Sequence, residues 1–425
     1  MEDLVSRSAL EGDSRPVLGK YVPLARLSHG GMAEVLLAIG RGPAGFDKLA
    51  VIKLVRNVND SECLEMFLDE ARLSARLSHP NIVNTYEVGE ANGKYFLAME
   101  YLEGQSLQAV LAKSAIRGKL LDEKAAALIA MQALKGLHYA HELADYDGAP
   151  LHVVHRDVSP HNLFLTYQGE VKLLDFGIAK ATLNFTHTET GMLKGKVRYM
   201  APEQIGERSI DRRADVFALG VVLWEMLAGR ALYSGRADVA SIVTRITGDD
   251  PPLLRTIRGD VSPELEAIVA KALQRDRDTR YSTADQMRAD LDRTLRGQQE
   301  GADAIAHMLN EAFAETRDAA RARIKTFLAA LPSMPSSGNM PASLSQPPEY
   351  LPALFGESRG SGVSASGLTR ASVAPSLASP LFSTTEIPPS PARRSWSWPV
   401  AGAAALVAIG IVALREAHAP APAIS

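Results

Sequence analysis

The sequence predicts an α+β domain over residues 21–296 with a tail of different character behind it, and three observations carry that prediction. Apolar residues near the start alternate at the period of two that a half-buried strand requires, others recur at helical spacing, and from Pro332 onward the composition changes. The 425 residues are enough for two or three domains. With 46 Lys and Arg against 49 Asp and Glu the net charge is −3, so the chain lacks the basic excess that would track nucleic-acid phosphates. A single cysteine, Cys63, excludes an intramolecular disulfide and leaves stability to a packed core, as in a chain that folds in a reducing cytosol.

Residues 1–20 form an N-terminal tail that carries acids and no apolar run, so nothing there reads as a signal peptide. The stretch Leu27-Ser28-His29-Gly30-Gly31-Met32-Ala33-Glu34-Val35 follows, between two strand-like runs. A glycine pair in a hairpin lets backbone N–H groups approach a phosphate, because no Cβ intrudes; an ordinary turn has the same pattern. In Leu49-Ala50-Val51-Ile52-Lys53-Leu54-Val55 one lysine interrupts a run that otherwise reads as a buried strand. An unpaired ammonium is costly to bury, so Lys53 needs an anionic partner. Phe67-Leu68-Asp69-Glu70-Ala71 opens a helical pattern, predicted over Glu62 to Leu77, from which Glu70 can face the strand. A structural ion pair and a phosphate-holding pair fit this pattern equally.

Residues 297–331 predict a helical extension, in which Ile305, Leu309, Phe313, Ala320, Ile324, Phe327 and Leu328 form an apolar stripe. Packing back on the domain is favoured over a dimerisation stripe. Residues 332–394 are rich in Pro, Ser, Ala and Gly and predict a disordered linker. Residues 395–414 carry no charge and have the length of a transmembrane helix, with Arg393 and Arg394 before it, Arg415 after it, and Trp396 and Trp398 at the position of an aromatic belt. The remaining residues, 415–425, predict a short extracytoplasmic tail with no room for a sensor domain.

The decisive residues are His155-Arg156-Asp157-Val158-Ser159-Pro160-His161-Asn162, then Leu174-Asp175-Phe176-Gly177, then Ala201-Pro202-Glu203, in that order. With them the sequence resembles the eukaryotic-type protein kinases, specifically the bacterial serine/threonine branch, over about Tyr21 to Arg296. The resemblance implies a bilobal fold, with a β-rich N-lobe, a helical C-lobe and ATP between them. It implies transfer of the ATP γ-phosphate to serine or threonine hydroxyls of protein substrates, with Mg²⁺ as cofactor. On that basis Lys53 holds the α and β phosphates and Glu70 holds Lys53, while Asp175 and Asn162 ligate Mg²⁺ through hard oxygens. Asp157 accepts the substrate hydroxyl proton. Leu27, Ser28, Gly30, Gly31 and Val35 cover the nucleotide, Met99, Glu100 and Leu102 form the hinge, and Ala50 and Phe164 sandwich the adenine. Asp215 is similar to the aspartate that braces the catalytic loop, and Arg280 to the partner of Glu203.

The sequence departs from the family at several positions. Ser28 and Ala33 replace two glycines of the loop. Ser159 stands where the family usually carries a lysine for the γ-phosphate, and Lys196 where it usually carries a threonine. We read these two changes as an exchange, in which Lys196 reaches back to supply the missing ammonium. Arg156 resembles the residue that clamps a phosphorylated activation segment, so autophosphorylation is expected within Thr186 to Thr190, with Thr186, Thr188 and Thr190 as candidates and Thr182 nearby. His138 with His141, and His152 with His155, lack further ligands at metal spacing, and no zinc is assigned. The expected arrangement is a single-pass protein of the cell membrane with the catalytic domain cytoplasmic, a homodimer for autophosphorylation in trans, and no nucleic-acid partner. The competing class is a pseudokinase scaffold that binds nucleotide or partners without efficient transfer.

Overall fold

The computed structural model describes residues 18–29, 33–42, 46–55, 61–176, 195–206, 209–233, 239–295 and 302–331. Gly30, Gly31, Gly177, Thr182, Thr186, Thr188, Thr190 and everything after residue 331 lie outside the described residues, so the expected linker and membrane span do too. Among the described residues no helix is long and apolar enough to cross a membrane.

The period-two stretches become an antiparallel sheet. Its strands are β1 (Tyr21–His29), β2 (Ala33–Arg41), β3 (Asp47–Val55), β4 (Thr85–Ala91) and β5 (Lys94–Glu100), in the order β1-β2-β3-β5-β4. Residues directly opposite in antiparallel strands project to the same face. Val35 pairs with Lys53, Leu37 with Val51 and Ile39 with Leu49, and on the other side of β3 Val51 pairs with Met99. These residues therefore share one face. Ala38, Ala50, Ile52 and Ala98 share the opposite one and pack there with Leu18, Tyr21 and Phe96.

Helix α1 (Ser61–Ser74) lies against the first face, with Phe67 and Ala71 packed on Val55, Leu97 and Met99. It ends short of the predicted Leu77. The last turn tightens, with Arg76 N–H donating to Leu73 O and Leu77 N–H to Ser74 O, ahead of Pro80, which disfavours helical geometry just before it. Leu77 is nevertheless buried, in the core of the second lobe.

That lobe contains a sheet of β6 (Gly104–Ser106), β7 (Leu163–Thr166) and β8 (Val171–Leu173). Its helices begin with α2 (Leu107–Arg117), α3 (Glu123–His141), α4 (Pro202–Ile205) and α5 (Arg213–Ala228). They continue with α6 (Val239–Gly248), α7 (Pro263–Ala272), α8 (Ala284–Thr294) and α9 (Ala302–Ala329). Every residue of α5 after Arg213 is buried, so the helix is enclosed on all sides rather than striped, with Asp215 and Glu225 as its buried carboxyls. Strand β6 approaches β7 so closely that a Cβ on Gly104 would sit 1.9 Å from the Leu165 carbonyl, a clash only glycine avoids.

Helix α9 lies within the stretch where a helical extension is expected, and it buries only part of the expected stripe. The backbone leaves helical geometry at Phe313 (φ −128°, ψ 22°). Before this kink Ile305, Leu309 and Phe313 are buried in the C-lobe core; after it Ile324 and Phe327 pack elsewhere, on the N-lobe. Ile305, Leu309, Phe313, Ile324 and Phe327 still share one face at helical spacing, while Ala320 and Leu328 of the predicted stripe are exposed.

Candidate active site

Lys53 on β3 reaches across to α1, where its Nζ lies 2.5 Å from Glu70 Oε1, and forward to Asp175, 3.2 Å from Oδ1. Burial alone would pull the ammonium's pKa down. The adjacent carboxylates of Asp175 and Glu70 outweigh it and drive the net shift upward, so Lys53 is a fixed cation. Lys53 thereby ties a strand and a helix of one lobe to a loop of the other.

The catalytic-loop residues are held from beneath by Asp215, at the start of α5. Its Oδ2 accepts from the His155 amide and its Oδ1 from the Arg156 amide, each at 2.8 Å, and Oδ2 also meets His141 Nε2 at 2.8 Å. Burial opposes ionisation of this carboxyl. The His141 hydrogen bond, the nearby histidines and the His155 amide prevail and hold it below the ordinary aspartate value. Arg156 takes a positive φ of 63°, which a non-glycine residue adopts only when its surroundings require it; the bond from its own amide to Asp215 fixes it there. The Asp157 amide donates to His155 Nδ1, so the His155 proton sits on Nε2, which faces the Leu174 carbonyl at 3.0 Å. Asn162 Nδ2 donates to the Asp157 carbonyl at 2.8 Å, and Leu174 N–H donates to the Asn162 carbonyl at 2.9 Å.

These bonds make one unit of Asp157, Asn162 and Asp175. Asn162 spends its amide nitrogen on the loop, which leaves Oδ1 as the atom it can offer a cation. With the Asp175 carboxylate this is a hard-oxygen donor set of the kind Mg²⁺ takes together with phosphate oxygens. The donor chemistry therefore fits a magnesium–nucleotide.

On the far side, Lys196 Nζ stands 3.8 Å from Asp157 Oδ2, and Ser159 is buried. The segment carrying Lys196 is anchored twice. Arg280 grips Glu203 through two parallel bonds of 2.7 and 2.9 Å, both side chains being buried, and Gln204 Nε2 donates to the Arg156 carbonyl at 3.2 Å.

A model of the protein kinase domain matches residues 21–291. The chain belongs to the protein kinase family. The kinase is 44% identical to the tyrosine-protein kinase MasK of Myxococcus xanthus over 72% of its own length and 48% of that protein's. It is 34% identical to the serine/threonine-protein kinase PrkC of Bacillus subtilis, over 65% of this chain and 40% of PrkC. Against PknB of Mycolicibacterium smegmatis, also a serine/threonine-protein kinase, the identity is 35% over 64% and 42%. The chain spans less than half the length of each. Among solved structures it resembles a double mutant of the Mycobacterium tuberculosis PknI kinase domain, with a TM-score of 0.50 and 25% identity over 66% of this chain and 97% of that one. Its two lobes are thus those of a protein kinase, a β-sheet N-lobe and a helical C-lobe.

Within the kinase cleft one expected residue changes place. Ala50 belongs to the opposite face of β3 and is 1% exposed in the outer cluster, so it is not available to a nucleotide. Strand alternation puts Val51 on the face of Lys53, opposite Met99, and Val51 takes the position assigned to Ala50. Val35 shares that face. Leu27 is 41% exposed on β1, next to Ser28, which pairs with Val35. Phe164 alternates with Leu163 and Leu165, both buried in the C-lobe, so its half-buried ring lies on the other side of β7.

At the hinge, Glu100 donates its N–H to the Asn84 carbonyl, while its carboxylate accepts from the Asn84 amide and from Lys172 at 2.9 Å. Leu102 follows, half-buried. Sequence reasoning missed Val51, His141, Gln204 and Lys172. Counting back two residues from Lys53 would have found Val51; the others are long-range partners with no local signal.

Proposed function

We propose that this kinase transfers the γ-phosphate of ATP to serine and threonine hydroxyls of proteins. The observation that carries the reading is Lys53 bridging Glu70 and Asp175, with Asp157 and Asn162 tied to Asp175 through the loop bonds. Lys53 would hold the α and β phosphates, and Asp175 and Asn162 Oδ1 would hold Mg²⁺. When bound, that cation would neutralise charge on the transferring phosphoryl group. Asp157 would orient the substrate hydroxyl and take its proton. Lys196, beside Asp157, would supply the ammonium that Ser159 lacks. Val35, Val51 and Phe164 would enclose the adenine, and the carbonyl of Glu100 and the backbone of Leu102 would meet its edge.

The reading extends to features supported by sequence alone: autophosphorylation among Thr186, Thr188 and Thr190, pairing of two copies for that step, and a membrane tether at residues 395–414 with the kinase on the cytosolic side. A second reading, transfer to tyrosine, is favoured by the name of the 44% identical MasK, and it fits the departures at Ser159 and Lys196.

The test incubates the full chain with MgATP beside Asp157→Asn, maps phosphosites by mass spectrometry, and offers matched peptides that carry serine, threonine or tyrosine. Phosphate on Thr186, Thr188 or Thr190 and on the serine and threonine peptides, in the parent only, is expected. Transfer confined to the tyrosine peptide would replace the acceptor class, and nucleotide binding without transfer to any acceptor would favour the scaffold.

A further inference from the structure

Helix α9 lies beyond the part of the chain that the kinase family accounts for, and it touches both lobes. Its first half is seated in the C-lobe core by Ile305, Leu309 and Phe313. At its middle, Asn310 Nδ2 donates to the Tyr167 carbonyl at 3.0 Å, and Arg317 lies over the Tyr167 ring. One turn further, Arg321 pairs with Glu103 at 2.7 Å, at the end of the hinge. The last turn carries Ile324 and Phe327, which with Leu331 pack against Leu24, Leu37 and Ile39 of the N-lobe sheet and against Tyr101 in the hinge. Leu37 and Ile39 lie on the same sheet face as Val35, Val51 and Lys53. A helix of 28 residues, about 40 Å long at 1.5 Å per residue, therefore runs from the C-lobe core to the outer end of the nucleotide-facing surface.

The hinge is the covalent link between the lobes, and α9 is a second, non-covalent one beside it. Any rotation that lifts the sheet away from the C-lobe has to slide Leu37 and Ile39 off Phe327 or pull α9 from its seat. We infer that α9 is a strap that holds the lobes at their binding separation, with Ile324 and Phe327 as positioning residues for the nucleotide. This inference rests on the reading of the cleft as the nucleotide site. Releasing the strap lowers the fraction of chains whose two cleft walls face one another at the right distance, and the apparent affinity falls by that fraction.

The test is the dissociation constant of a fluorescent ATP analogue with Mg²⁺ on the full chain, together with amide exchange in β1 and β2. Phe327→Asp and Ile324→Asp are expected to weaken binding by about tenfold. Exchange in β1 and β2 should rise, while the buried amides around Ile305 and Leu309 stay protected. Arg321→Glu should cost about twofold, since the pair is exposed, and adding Glu103→Arg should restore it. A dissociation constant within twofold of the parent, in either apolar variant that folds, overturns the inference. Should neither fold, the charge pair decides: loss and recovery support the strap, and no change or no recovery overturns it. Binding is measured rather than transfer, so a parent chain that binds nucleotide without phosphorylating anything would refute the proposed activity and leave the strap standing.

Discussion

The two lobes are built on different terms. The C-lobe has one contiguous apolar core that runs from α2 to α9, while the N-lobe divides its apolar residues among three smaller clusters, one on the outer face of the sheet, one under α1 and one under the end of α9. The catalytic loop inherits the rigidity of the larger core, because Asp215, itself 1% exposed, fixes two consecutive loop amides and His141 from below. The nucleotide-facing lysine has no comparable bed. It is placed by two ionic contacts, one within its own lobe to Glu70 and one across the cleft to Asp175. The difference teaches that the half of the site proposed to take the proton is set by folding of one lobe, whereas the half proposed to hold the nucleotide also depends on how the lobes meet.

The comparison breaks most visibly if chemistry and nucleotide binding can be separated. Asp157→Asn should lower transfer by roughly 10²–10⁴-fold with nucleotide affinity nearly unchanged, read in single-turnover assays beside a binding titration. Asp215→Ala leaves the His155 and Arg156 amides and His141 unpaired in the interior. It should cost about 3–5 kcal/mol of stability in denaturant titrations, whereas Glu70→Gln, at the lobe junction, should leave the C-lobe unfolding transition in place. Lys196→Met should slow transfer about tenfold without altering nucleotide affinity. An unchanged rate would return Lys196 to the solvent and leave the site one cation short.

The smallest effect sharpens the comparison from inside the rigid lobe. Burial pushes the Glu225 carboxyl above its ordinary value of 4.5, against the bonds from Tyr199 and Leu232 and the charge of Arg198. The folded state thus binds this proton more tightly than the unfolded chain. Its contribution is full below the ordinary value and is lost as pH rises through the raised one. As pH rises above the ordinary carboxyl value, denaturation midpoints should therefore fall in the parent relative to Glu225→Gln; parallel curves would show that Glu225 is not held protonated by the fold.

Much of this was readable in the sequence because the chemistry is local. The run around Lys53, the helix with Glu70 and the ordered sets around Asp157, Asp175 and Glu203 each combine a residue type with a spacing. Ala50 was assigned from the family resemblance alone, although alternation along β3 puts it on the outer face. His141 and Gln204 could not be found that way, since their partners Asp215 and Arg156 lie 74 and 48 residues distant and only folding brings them together. The stripe of α9 showed that a helix would form and hid its two destinations, because one apolar face is long enough to meet the C-lobe with its first half and the N-lobe with its last turns, and spacing says nothing of what covers it.

The packing of Leu331, just past the end of α9, has a mechanical meaning. That residue is packed on the N-lobe sheet, not on the lobe from which α9 starts. A force applied at that end of α9 would be delivered to the smaller lobe first, with the length of the helix as the lever arm and the seat at Ile305 and Leu309 as its fulcrum. Pulling and catalysis would then share one coordinate, the angle between the lobes.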